Sequence, residues 1–295
     1  MAFDFVYGMI GDAIEIEQYT GDESIVSIPE TVEGKRVTSV KKYAFRECRW
    51  ITEVILPDSI ETIGSHAFYN CRRLKKITLS DRAADIGDGA FKNCDELSFV
   101  SMNMQLMKSG CIKGILEEIN HEILFEFIYP EENGEIKSRI VFPKYMYQYN
   151  ENTSAKIVWQ ETLGSGMHYR ECMNFDGVDY KKYDENFHVA VALESAKTAE
   201  EIALNRLQYP YQLSKGAEDK YRQYVEKNLI SILNRFISEE DMERIEFLGT
   251  LAMFTEANID DLLALAYESE KPSITGYFMN YKHQNLKREE KLFEF

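Results

Sequence analysis

The sequence lacks an excess of positive charge. Lysine and arginine number 34 against 50 aspartates and glutamates, for a formal net charge of -16. A nucleic-acid binder gathers cations that displace the counterions of a phosphate backbone, and an anionic membrane surface attracts the same sign. Neither partner is expected. Two short basic clusters, Arg72-Arg73-Leu74-Lys75-Lys76 and Lys287-Arg288, are expected to be solvated surface. Long apolar runs are missing too, and no stretch approaches the ~20 apolar residues that a membrane-crossing helix needs.

Cysteine is scarce. Five are present, an odd count with no CxxC pair and no Cys/His ligand spacing, which excludes a disulfide framework and a zinc site and favours a reducing compartment. Met1-Ala2-Phe3-Asp4-Phe5 lacks a basic segment followed by an apolar run. The expected location is cytoplasmic, or surface or secreted if a leader once preceded Met1.

No complete catalytic constellation is legible. Leu163-Gly164-Ser165-Gly166-Met167-His168-Tyr169-Arg170 places two glycines near a basic residue, as an anion-binding loop would, but lacks the Gly-Lys-Ser/Thr that follows in a phosphate loop. A tight loop is the expected role. His168 and Cys172 would pair as base and nucleophile on a helix, yet no third orienting group or oxyanion donor accompanies them. Gly164, Gly166, His168, Arg170 and Cys172 therefore make up the secondary candidate, for an enzyme or nucleotide-binding protein centred in residues 104–185. Glu131-Glu132, Glu239-Glu240 and Asp260-Asp261 read as turn or helix-start charges. No cofactor and no metal are expected.

What is present is a period. Ala44-Phe45, Ala67-Phe68 and Ala90-Phe91 recur 23 residues apart, each Phe followed three residues later by Cys48, Cys71 or Cys94. Val40, Ile63 and Ile86 keep the interval, as do Val54-Ile55-Leu56, Ile77-Thr78-Leu79 and Val100-Ser101-Met102. Such a period means a solenoid, whose units bury their apolar sides only by stacking. Alternation within each strand turns Val54, Leu56, Ile77, Leu79, Val100 and Met102 inward. Glu53, Ile55, Lys76, Thr78, Phe99 and Ser101 then share the outward face and are the candidate partner-binding residues. Ile55 and Phe99 are apolar there, marking either a contact site or an internal interface. The Phe of each unit fills the coil interior, Gly64 and Gly87 are expected at positive φ, Asn70 and Asn93 at loop backbone, and the three repeat cysteines as free, buried small hydrophobes.

Residues 51–71, from Ile51-Thr52-Glu53-Val54-Ile55-Leu56 through Ala67-Phe68-Tyr69-Asn70-Cys71, resemble the repeat of the BspA-like leucine-rich repeat family, over residues of roughly 20 to 102. The resemblance implies a bacterial binding protein without catalytic residues to carry over. About three full units are visible, the first widened around Glu33-Gly34-Lys35.

The flanking blocks differ in texture. Residues 1–19 suit a β-hairpin capping the first repeat. Residues 104–185 lose the repeat but keep β-rich segments at 121–129, 136–142 and 155–160, with Glu131-Glu132-Asn133-Gly134 as a turn; residues 110–120 fit strand or helix equally. Tyr145, Tyr147 and Tyr149 alternate as an aromatic strip or as packing between blocks. Beyond residue 186 the pattern is helical, with starts expected at Thr198 (with Glu201 completing a capping box), Ser238, Thr255 and Ser273. The last three are 17 and 18 residues apart, suiting stacked α-hairpins. Some leucine-rich repeat proteins of gut Firmicutes look similar in this arrangement. The expected fold is α+β: a short leucine-rich-repeat β-solenoid with a hairpin cap (1–103), a β-rich central block (104–185) and an antiparallel α-helical domain (186–295). The expected function is non-enzymatic protein–protein interaction.

Overall fold

The computed structural model describes residues 4–131, 134–152, 157–174 and 176–286. Along the chain run β1 (Phe5–Ile10), β2 (Ala13–Tyr19), β3 (Ile25–Ser27), β4 (Thr31–Val32), β5 (Lys35–Val40), β6 (Glu53–Ile55), β7 (Thr62–Ile63), β8 (Lys76–Ser80), β9 (Asp85–Ile86) and β10 (Phe99–Asn103). Then come α1 (Gly110–Glu118), β11 (Ile123–Glu131), β12 (Gly134–Phe142), β13 (Met146–Asn152) and β14 (Ile157–Leu163). Two sheets form the solenoid walls, one ordered β1-β2-β5-β7-β9 and the other β12-β11-β10-β8-β6-β3. The hairpin β1–β2 turns at Gly11, whose φ is 60°, and β2 joins β5 in parallel, so the cap continues the wall. The widened first unit is the small hairpin β4–β5.

The solenoid exceeds the three units visible in sequence. Five parallel strands, β3, β6, β8, β10 and β11, stack in one wall, so no break separates residue 103 from 104. The last coil was hidden because α1 replaces its Ala-Phe-x-x-Cys turn. Of residues 110–120, Gly110–Glu118 are thus helix, with Cys111, Ile112, Ile115 and Leu116 as its buried face. The turn expected at 131–134 joins β11 to β12, with Glu132 and Asn133 outside the described residues.

Aromatic rings form the spine. Phe45 and Phe68 lie 4.9 Å apart, Phe68 and Phe91 5.4 Å apart and nearly parallel, and Tyr19 stacks on Phe45 at 5.4 Å. All five cysteines of the chain are free and buried. Cys71 Sγ donates to the Phe45 carbonyl at 3.0 Å and Cys94 Sγ to that of Phe68 at 3.2 Å, so each thiol bonds the preceding coil. Gly64 and Gly87 serve close approach rather than positive φ: a Cβ would fall 2.5 Å from Lys42 N and 2.4 Å from Ser65 N. The left-handed positions are instead Tyr43, Glu47, His66, Asn70, Gly89 and Asn93. Asn70 and Asn93 build a side-chain ladder, Asn93 Nδ2 donating to Asn70 Oδ1 at 2.7 Å and Asn70 Nδ2 to Glu47 Oε1 at 2.6 Å.

Beyond β12, β13 and β14 pair antiparallel, followed by α2 (Gly166–Arg170), β15 (Met173–Asn174), β16 (Gly177–Val178), α3 (Tyr180–Glu185), α4 (Phe187–Leu193) and α5 (Ala196–Gln208). The outer edge of β12 is closed by one side chain. Tyr183 Oη accepts from the Val141 N–H at 2.9 Å and donates to the Val141 carbonyl at 2.8 Å, so this part of an open edge offers no pairing template. Beneath it Arg206, fully buried, forks onto Asp184 at 2.8 and 3.0 Å. The guanidinium also lies 4.9 Å from the Tyr180 ring. α5 starts one residue past Ser195, whose Oγ accepts from the Thr198 N–H, so the cap lies three residues before the expected Thr198.

The chain divides into two compact units, Met1–Glu218 and Asp219–Phe295, the division falling within α6 (Lys215–Lys227) rather than near residue 186. The second unit continues with α7 (Leu229–Glu239), α8 (Met242–Thr250), α9 (Ile259–Glu268) and α10 (Pro272–Asn285). α8 packs on α7 and α10 on α9. Their starts differ from those expected. Ser238 ends α7, its hydroxyl on the Arg235 carbonyl, while Asp241 caps α8 by accepting from the Arg244 N–H. Thr255 donates its N–H to Asn258, which precedes α9, and Pro272 opens α10. Glu239 and Glu240 end α7 rather than start a helix, and Glu240 pairs with Lys271.

Candidate interaction surface

Register carries the six outward residues onto one face. Glu53, Lys76 and Phe99 stand side by side, followed by Leu124; Ile55, Thr78 and Ser101 form the next row, followed by Glu126. Glu53 meets the Lys76 ammonium at 2.9 Å, and Lys76 and Arg139 lie 5.7 and 6.0 Å from the Phe99 centroid. Phe99 is thus engaged by two cations. Arg139 also bonds Glu126 at 2.6 Å and stacks 4.5 Å over Tyr209, which leaves Ser101 and Glu126 only 7% exposed. The face divides accordingly. Its β10–β12 end is covered from within, while its β3–β8 end is open, with Ile25 53% exposed and Ile55 half-buried.

The basic cluster at 72–76 is neutralised across coils. Arg72 faces Asp95 at 3.9 Å, Lys75 faces Glu96 at 3.7 Å, and Lys76 holds Glu53. Lys287-Arg288 lies outside the described residues. A cavity of about 270 Å³ opens where the outer face ends, between Asp58, Asn103, Gln105 and Ile128. Asp58 accepts from Asn103 Nδ2 at 2.8 Å and from Gln105 Nε2 at 2.6 Å.

A second strip, of rings with Tyr43 exposed and His66 and Tyr69 half-buried, was not among the residues singled out from the sequence. Tyr43 and His66 occupy equivalent left-handed turns, their rings 5.3 Å apart, and Tyr69 lies 5.5 Å from His66. Arg46 covers Tyr43 at 5.7 Å. The 23-residue offset of Tyr43 and His66 was the available signal.

The secondary candidate comes together as structure. Gly166 lets α2 pass Pro143, whose carbonyl would sit 2.4 Å from an added Cβ. Arg170 spends its guanidinium on the carbonyls of Pro143, Gly166, Ile119 and His121 at 2.7 to 3.4 Å and covers the buried Tyr145 ring at 4.5 Å. The side chains of Tyr147 and Tyr149 lie outside the described residues. Cys172 Sγ bonds the His168 carbonyl at 3.3 Å, while the His168 side chain points into solvent. Burial pushes the Cys172 thiol up to about 12, far from a thiolate nucleophile. A neighbouring cavity of about 300 Å³ is walled by Arg170, Tyr145, Lys113 and Glu117 but includes neither Gly164 nor His168. Among the described residues no cluster of His, Cys, Asp and Glu has metal-binding geometry, and no helix is long and apolar enough to cross a membrane.

Residues 15–138 match the BspA type leucine rich repeat region in six copies. Among solved structures, a leucine rich cell surface protein of Faecalibacterium prausnitzii is 27% identical over 38% of this chain and 34% of its own, with a TM-score of 0.29. The chain thus spans about a third of that protein's length. A leucine-rich repeat protein of Bacteroides capillosus is 27% identical over 34% of this chain and 79% of its own, at a TM-score of 0.31. One of Bacteroides ovatus is 26% identical over 34% of this chain and 30% of its own, also at 0.31. No curated protein matches the chain.

Proposed function

We propose that the protein is a non-enzymatic interaction scaffold that engages a protein partner through the open end of the second wall, over β3, β6 and β8. The observation that supports this reading most directly is the division of the face. Phe99, Ser101 and Glu126 are engaged by the protein's own groups, whereas Ile25 and Ile55 sit on a paired wall where Ile25 is exposed. Apolar groups on a preorganised surface bind at low entropic cost. The Glu53–Lys76 pair beside Ile55 supplies the polar rim that such contacts carry. A cytoplasmic location belongs to the same proposal, in keeping with five free, buried thiols.

Substituting Ile25 and Ile55 by Ser tests it. Affinity capture from the native cell should lose a partner held by the parent protein while the melting temperature stays unchanged. Retention of the same partners by the double variant, or turnover of a substrate that stops on replacing Cys172, would overturn the reading.

A further inference from the structure

The asparagine ladder has an unfinished end. Each rung uses two bonds. Glu47 donates its backbone N–H to the Tyr69 carbonyl at 2.9 Å and accepts the Asn70 carboxamide on Oε1 at 2.6 Å. Asn70 donates its N–H to the Lys92 carbonyl at 3.1 Å and accepts the Asn93 carboxamide on Oδ1 at 2.7 Å. Both times the incoming group is the same: an asparagine together with the carbonyl immediately before it. Asn93 holds the same left-handed φ, 62°, so its N–H and Oδ1 face the position the next rung would take. Among the described residues neither atom has a partner, because α1 has replaced the repeat turn there.

That position is a cavity of about 330 Å³ between Asn93, Lys92, Asp88, Asp95, Glu118 and His121, within the range of small-ligand sites, roughly 300 to 1,000 Å³. Its neighbouring donor is already closed: Glu118 Oε2 accepts from the Phe91 N–H at 2.7 Å, as the Ala90 carbonyl does for Phe68 one coil earlier. Asn120 lines the cavity too, with its side chain exposed and making no bond to Asn93. Three carboxylates against one ammonium make the lining hostile to an acidic ligand and indifferent to a neutral amide.

We infer that this cavity binds an asparagine residue within a peptide, the carbonyl before it accepting from the Asn93 N–H and its carboxamide donating to Asn93 Oδ1, as the next rung would. The site is separate from the sheet face proposed above and stands whether or not that face is used.

The probe is N-acetyl-asparagine methylamide, titrated into the full chain by calorimetry and by NMR. Free asparagine lacks the preceding carbonyl, the N-acetyl-aspartate analogue lacks the donor and adds charge, and the N-acetyl-alanine analogue lacks the carboxamide. Saturable binding of the probe is expected, about tenfold or more tighter than any of the three, the loss associated with one unmet hydrogen-bonding group. The Asn93 backbone amide resonance should move with saturation. Asn93→Gly keeps a residue suited to positive φ and should weaken binding by about tenfold, in a protein that still folds but melts somewhat lower for the lost bond to Asn70 Oδ1. Equal affinity for the four compounds, absence of saturable binding, or undiminished binding by Asn93→Gly would overturn the inference. If that variant fails to fold, the resonances decide: movement at Asn93 supports the site, and movement confined elsewhere refutes it.

Discussion

Phe68 is the middle ring of the spine, between Phe45 and Phe91 and fully buried. Its replacement by Ala should cost about 3 to 5 kcal/mol, the usual penalty for emptying an aromatic site in a close-packed core; a loss below about 1 kcal/mol in denaturant melts would show that the coils do not stack on it. The repeat thiols make a second residue-scale prediction. Burial raises Cys94 to about 12 and Cys71 higher still, so neither presents a thiolate near neutral pH. Thiol counting with a disulfide-exchange reagent should find Cys71 and Cys94 silent in the native protein and all five reactive after unfolding. Such residues were legible from the period because each repeats a chemical role. Asn70 and Asn93 were legible as turn residues, but their bonding to each other was not, since a single strip of sequence does not reveal which turn lies against which.

At the scale of elements, the two ends of the solenoid carry the most information. The carboxyl of Glu118, at the end of α1, is held above the usual carboxylate range by desolvation, opposed by hydrogen bonds from the backbone N–H groups of Phe91, Ala90 and Gly89. A raised folded value means that the folded state holds its proton more tightly than the unfolded chain. The associated stability is full below the ordinary carboxylate value and is lost as pH rises through the folded one. Glu118→Gln keeps an acceptor for the Phe91 N–H and should remove this contribution to the pH dependence of melting just above the carboxylate range; an unchanged profile would refute the assignment. Tyr183→Phe removes the hydroxyl that serves both backbone groups of Val141 and should destabilise by about 1 to 3 kcal/mol, the cost of leaving buried polar groups unmet. Helix starts were the least legible elements. Ser238 and Thr255 offered suitable side chains, but Asp241, three residues past Ser238, makes the cap of α8, and Asn258, three past Thr255, precedes α9 and bonds back to the Thr255 N–H. β11 was legible as a strand and not as a repeat, because α1 had erased the turn signature that marks a coil.

For the whole molecule, the division at residue 218 follows from two separate cores. In the second unit Phe254 packs against Phe278 and Tyr281, each 5.1 Å away, and Tyr281 Oη donates to the Gly249 carbonyl at 3.2 Å. A chain ending at residue 214, just before α6, should retain the spine and the β-type circular dichroism of the repeats. Collapse of that signal would show that the repeats need residues beyond the division. Composition announced this organisation only coarsely: the shift to helical texture was plain from residue 186, yet α3, α4 and α5 belong to the first unit because Tyr183 and Arg206 close the β12 end.

The backbone bonds between Phe turns run one way and the side-chain bonds the other. Phe45 N–H donates to Ala67, Phe68 to Ala90, Glu47 to Tyr69 and Asn70 to Lys92, so along this side the backbone of each coil gives to the one after it, while its Cys and Asn side chains give to the one before. In the spine a middle coil meets a phenylalanine on either side, whereas each end is met by a unique device. Duplicating residues 64–86 in place would therefore repeat the Phe spine and the asparagine ladder and disturb neither terminus, its one new kind of wall contact being between like charges, such as Lys76 beside a second Lys76. Length is the freely variable dimension of this architecture, adjustable in steps of about 4.8 Å per added strand, while its two endings are not interchangeable.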